Sequence, residues 1–100
     1  MKIKMTDGTE LSVKRLNRSI GNSDQVAESL MITFGKSVTL DDVTTAITEK
    51  TVGDFTVVRE GFEDAQYKGY SIQNFTEDTN DDETTVNAFL VKFVEAKVEE

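Results

Sequence analysis

The stretch Gln25 to Ile47, QVAESLMITFGKSVTLDDVTTAI, constrains the fold more than any other. Its first half alternates. Val26, Glu28, Leu30, Ile32 and Phe34 share one face of an extended chain, and four of the five are apolar. Gly35 breaks that pattern. Thr39 is placed to cap a helix by accepting from the backbone N–H of Asp42, and Asp42 to answer as the acidic partner of a capping box. Val38 and Val43 have the spacing of a hydrophobic staple, and Leu40, Val43 and Ile47 line one side of the helix that follows. A strand feeding directly into a short helix predicts an α+β domain whose other strands pack on this unit.

The chain has 100 residues, the size of one domain, so residues 1–100 are expected to fold as a single unit. A chain this long buries roughly 60–70% of its unfolded surface. Hydrophobic residues make up 37%, which is lean, and the six Phe and two Tyr must supply much of the core volume. Cysteine and histidine are both absent. That removes disulfides, thiolate–imidazole zinc sites and catalysis by Ser-His-Asp or Cys-His. No cofactor and no metal is expected. The net charge is −8, with 19 acidic side chains against 11 basic. Direct binding of nucleic acid through a basic surface is therefore not expected. The charge is uneven: Lys2, Lys4, Lys14, Arg15 and Arg18 crowd the first 18 residues, and the rest is acidic. Head-to-tail contact between a basic and an acidic patch would fit, and so would ordinary solvated faces. No apolar run approaches the roughly 20 residues that cross a membrane, and the charged start Met1-Lys2-Ile3-Lys4 does not resemble a secretory leader.

Further elements follow from alternation and turn residues. Lys2 to Thr6 and Glu10 to Leu16 predict a hairpin around Asp7-Gly8. Asn17 to Asp24 reads as a polar loop, with Ile20 folding back onto the core. Gly53 is the expected helix stop. Asp54 to Arg59 is rich in β-branched residues and predicts a strand. Glu60 to Asp64 predicts a turn at Gly61, and Ala65 to Phe75 one extended run in which Gly69 marks a bulge or a close backbone approach. Thr76 to Glu83 reads as an exposed acidic loop. Thr84 to Glu95 reads as the last strand, with Phe89, Val91 and Phe93 on one face and Val86, Ala88 and Leu90 on the other. Two apolar faces place that strand centrally, or set one face against a partner. Helical spacing competes there, but the β-branched and aromatic content favours strand. The expected architecture is α+β: mainly antiparallel sheet, or a small open barrel of about six strands, with one short helix near residues 40–49.

Candidate chemistry is sparse. Asp78, Asn80 and Asp82 have the first three ligand spacings of a calcium loop, but Glu83 stands where that loop needs glycine and Phe89 where it needs a bidentate glutamate. A solvated acidic loop over 76–83 is the simpler reading, and weak capture of a divalent cation stays open. Glu60, Glu63 and Asp64 lie near Tyr67, yet nothing local buries a carboxyl as acid–base work would require. Gly53, Gly61 and Gly69 form no phosphate-cradling pattern. Phe62, Tyr67, Tyr70 and Phe75 are the candidate protein contact surface, with an ordinary core as the competing role.

The opening MKIKMTDGTEL, the stretch SLMITFGKSVTLDDVTTAIT, the segment FTVVREGFEDAQYKGYSI and the closing TTVNAFLVKFVEAKVEE resemble small prophage proteins encoded among tail and baseplate genes of phages of Gram-positive gut bacteria. The resemblance implies a non-enzymatic virion structural or assembly component. It would act through protein contacts, either by self-association or with other phage proteins, in the host cytoplasm and then in the virion. It implies no active-site residues. A small acidic inhibitor of a host nucleic-acid enzyme, of the anti-CRISPR or DNA-mimic type, is the alternative. It would draw on Glu60, Glu63, Asp64, Glu77, Asp78, Asp81, Asp82 and Glu83 as one carboxylate face. An enzyme or carbohydrate-binding module would need a concave pocket with convergent polar groups.

Overall fold

A computed structural model describes residues 1–20, 26–80 and 83–93. Seven strands and one helix run in the order β1 (Lys2–Met5), β2 (Glu10–Ile20), β3 (Val26–Phe34), α1 (Leu40–Ala46), β4 (Asp54–Val58), β5 (Ala65–Lys68), β6 (Tyr70–Asn80) and β7 (Glu83–Phe93). The strands form a single antiparallel sheet in the order β5-β4-β1-β2-β3-β7-β6. The α+β expectation holds: the described residues are mostly antiparallel sheet with one short helix, in seven strands where about six were expected, and the sheet does not close into a barrel.

The first turn shows why this order forms. Gly8 takes the left-handed conformation (φ 94°), and the Asp7 side chain accepts from the Thr9 N–H at 2.9 Å. That returns β2 alongside β1. β2 then changes partner. Its residues 10–12 pair with β1, and residues 13–20 pair with β3. The register shift between Val13 and Arg15 marks the change. A bulge there bends a strand, so the two halves of the sheet meet at an angle.

The two edge strands of this sheet are consecutive in sequence, with only Gly69 between them. The sheet must therefore curl until its edges approach. Gly69 makes the corner with φ 80°, and its N–H donates to the Gly53 carbonyl at 2.9 Å. No ladder joins β5 to β6, so the roll stays open. The predicted run Ala65 to Phe75 is thus two strands on opposite edges, because a side-chain-free residue lets the backbone turn there.

The core fills the inside of the curl. Ile3 and Met5, Val13, Leu30, Ile32 and Phe34, Phe55 and Val57, and Val86, Ala88 and Leu90 all point inward at the period of two that strands impose. α1 packs against β2, β6 and β7. Its capping box is complete: Asp42 N–H donates to Thr39 Oγ1 at 3.1 Å, and Thr39 N–H to Asp42 Oδ2 at 3.0 Å. Val38, Val43, Ala46 and Ile47 are buried, and Leu40 packs against them. The helix ends at Ala46 with Ile47 as its cap, so Gly53 is not the stop. Thr48 and Thr51 turn the chain instead, with Thr51 Oγ1 donating to the Ala46 carbonyl at 2.8 Å.

Two further expectations fail. Residues 17–20 are strand, not loop, because Asn17 to Ile20 pair with Glu28 to Met31. Ile20 does not fold back: it is 86% exposed near the strand's end. Residues Thr76 to Asn80 are likewise strand, paired with Glu83 to Asn87 in a long hairpin. Asp81 and Asp82, the remainder of the expected acidic loop, lie outside the described residues.

Candidate functional site

The four aromatic residues singled out from sequence do not make one surface. Tyr70 is only 4% exposed. Its ring lies 6.0 Å from Phe55 and 5.9 Å from Tyr67, and Phe55 stacks on Tyr67 at 5.4 Å with 11° between the planes. These three rings line the inside of the curl where β5 and β6 approach, so Tyr67 and Tyr70 serve the core. Phe75 is half-buried against the same core. Phe62 alone presents its ring, 67% exposed, with the Arg59 guanidinium 4.7 Å from its centre.

Next to this cluster lies the most interconnected polar group of the concave face. Tyr70 on β6 donates its hydroxyl to Glu28 Oε2 on β3 at 2.6 Å. Arg18 on β2 grips the same carboxylate with two nitrogens, the Nε bond being 3.2 Å. Lys92 pairs in register with both Glu28 and Tyr70. Each partner shifts the proton equilibria away from neutrality. Arg18 first, and then Tyr70, hold the Glu28 carboxyl below its usual range. Burial first, and then Glu28, push the Tyr70 hydroxyl up to about 12. A carboxylate this fully bonded and a phenol this reluctant to ionise are poor acid–base catalysts near pH 7. They suit a latch tying β2, β3 and β6 together.

The acidic clusters have equally local roles. Glu60, Glu63 and Asp64 are exposed on the turn between β4 and β5, where Gly61 has φ 82°. Asp78 accepts from Asn87 Nδ2 at 3.1 Å, so it is tied into the sheet. Among the described residues, no group of three or more carboxylates is placed to hold a metal ion.

The opposite face of the sheet carries features that the sequence analysis marked only through β7. Val86, Ala88 and Leu90 point to the core, so Asn87, Phe89, Val91 and Phe93 point outward. Phe89 sits opposite Met31 in register, and Phe93 is 53% exposed. A groove of about 520 Å³ crosses this outer face at Asn17, Ser19, Ser29, Met31, Gln73 and Phe89. Beside it, Thr33 Oγ1 donates to Asn87 Oδ1 at 2.7 Å, and both residues are buried although they face away from the core. Two apolar faces on one strand were the signal for this surface. The contributions of Asn17, Met31 and Gln73 needed the pairing register and could not be found locally.

No helix among the described residues is long and apolar enough to cross a membrane. No family model, no curated protein and no solved structure matches the chain.

Proposed function

We propose that this chain is a non-enzymatic phage component, structural or concerned with assembly of the tail or baseplate, and that it works through protein–protein contacts. The observation that carries this reading is the outer face of β7. Phe89 and Phe93 stand on the side of the sheet away from the core, Phe89 opposite Met31 and Phe93 53% exposed, and a partner would bury the apolar surface that the single domain leaves open there. Glu28 and Tyr70 on the concave face support the same reading, since they are bonded to each other and both shifted away from neutral proton exchange. The inhibitor alternative needs one continuous carboxylate face. Of the acids named for it, Glu60, Glu63 and Asp64 lie on the β4–β5 turn and Glu77, Asp78 and Glu83 on the β6–β7 hairpin, where Glu77 and Asp78 take opposite faces; this division favours the assembly role.

The deciding experiment is particle composition. Particles and assembly intermediates would be purified after induction of a lysogen carrying this gene, and the chain sought by quantitative mass spectrometry. The expected result is the chain at a fixed ratio to the tail proteins in one of these fractions. Its absence from both, with intact particles still made by a deletion strain, would overturn the reading.

A further inference from the structure

We propose that the outer face of β2, β3, β7 and β6 binds a second copy of this chain, face to face, about a two-fold axis parallel to the strands. This deepens the assembly role above and rests on it for its biological purpose, but not for its physics.

Three features of the face lead to this partner and this symmetry. The centre is uncharged. β3 contributes Met31 and Thr33 there, and β7 contributes Asn87, Phe89 and Val91; Thr33, Asn87 and Val91 are buried within the sheet, so Met31 and Phe89 offer the accessible apolar surface. Charge is depleted in the middle of real interfaces in the same way. The flanks carry opposite signs. Arg15 projects from β2 on one side, exposed and with no ion pair among the described residues. Asp78 lies on β6 at the other side. Register brings the two flanks nearly level. Arg15 pairs with Thr33, Thr33 with Asn87 and Asn87 with Thr76, and Asp78 is the next residue on that face of β6.

The possible two-fold axes then differ in sign. An axis in the plane of contact but across the strands lays β2 over β2 and β6 over β6, so that Arg15 never meets an Asp78. An axis parallel to the strands, between β3 and β7, lays β2 over β6. It sets Arg15 against the Asp78 of the partner subunit, twice, and Met31 against the Phe89 of the partner subunit. Thioether on aromatic is a favourable contact. Strand directions stay aligned, as in ordinary sheet-on-sheet packing. Four strands about 4.8 Å apart and about five residues long give a footprint of at most on the order of 300–400 Å² per copy. That is small for a specific interface, so a weak dissociation constant is expected, on the order of tens to hundreds of micromolar.

Sedimentation velocity on the purified full chain, from about 5 to 500 μM, tests this. Wild type should move from monomer to dimer across that range. Arg15→Glu should weaken self-association at least tenfold, since the introduced acid faces Asp78. Asp78→Arg should do the same for the opposite reason. An equimolar mixture of these two variants should dimerise again, because both cross-pairs then carry opposite charges. A monomeric wild type at every concentration overturns the proposal. So does an Arg15→Glu variant that dimerises like wild type, or a mixture of folded variants that stays monomeric. If Asp78→Arg does not fold, Arg15→Glu alone decides, because Arg15 is exposed and has no ion pair to lose. A monomeric chain found in particles would sink the dimer and leave the assembly role standing. A dimer absent from particles would do the reverse.

Discussion

Tyr70 Oη and Glu28 Oε2 meet at 2.6 Å across 42 positions of sequence, joining the edge strand β6 to β3 with β7 between them. Burial of Tyr70 together with this contact, and the Arg18 grip on Glu28 ahead of it, make stability depend on pH at both ends of the scale. The folded Tyr70 hydroxyl titrates at about 12, above the ordinary value of 10.0. Folding therefore holds that proton more firmly. The contribution is complete below about pH 10 and is lost as pH rises from there toward 12. Glu28 is shifted the other way, so its contribution is present above the ordinary carboxyl value and is lost as pH falls through its lowered one. Urea unfolding between pH 8 and 12 should show falling stability in wild type and a shallower fall in Tyr70→Phe. Equal alkaline slopes would mean that the phenol is not the group being titrated.

Two glycines should resist substitution for different reasons. Gly69 has φ 80°, and a Cβ there would meet only Lys92 Cε at an ordinary 3.5 Å. Gly69→Ala should cost about 1–2 kcal/mol through backbone strain alone. Gly35 needs no unusual φ, but a Cβ there would lie 2.9 Å from Ser12 Oγ and 3.2 Å from Ser12 Cβ. Adding Ser12→Gly should recover stability lost in Gly35→Ala and recover none in Gly69→Ala. Thermal melts of the four variants check both statements.

Thr39→Ala should destabilise the protein by about 1 kcal/mol. A helix of seven residues has few internal hydrogen bonds, so its first turn depends strongly on the cap. Replacement by Ser should retain most of the stability, because the accepting oxygen is kept. A Thr39→Ala variant that melts with wild type would show that packing of Val43 and Ile47 fixes the helix without help.

This cap was legible in sequence because every part of it lies within four residues, from Thr39 to Asp42. The hairpin at Asp7-Gly8 and the strand at Asp54 were legible for the same reason. Alternation also separated the two faces of β7 correctly. What escaped was set by distant partners. Asn17, Arg18 and Ser19 carry no strand signal of their own and are extended because Ser29, Leu30 and Met31 lie beside them. Thr76 to Asn80 looked like a loop because it is acidic, yet the facing strand fixes its register. Tyr67 and Tyr70 fall in one extended run of sequence. Gly69 put them on opposite edges of the sheet, and the curl then brought their rings together inside. The latch formed by Arg18, Glu28 and Tyr70 needs three strands in register, and no local pattern announces it.

The pair Thr33 and Asn87 offers the sharpest test of how the outer face is held. Exposure is 7% for Thr33 and 8% for Asn87, and no buried side-chain polar atom among the described residues lacks a partner. Asn87 accepts from Thr33 and donates to Asp78, so one amide ties β3 to β7 and β7 to β6. Asn87→Ala removes both bonds and leaves the Thr33 hydroxyl without its acceptor, at an expected cost of about 1–3 kcal/mol. Thr33→Val keeps the shape and frees only the amide oxygen, which should cost less, about 1 kcal/mol. The double variant should cost less than the sum, since the second change removes a group that the first had already orphaned. A coupling of at least about 0.5 kcal/mol in a double-mutant cycle is expected. Strict additivity would mean that the two side chains do not bond across the ladder, and that β3 and β7 are held by their backbones alone.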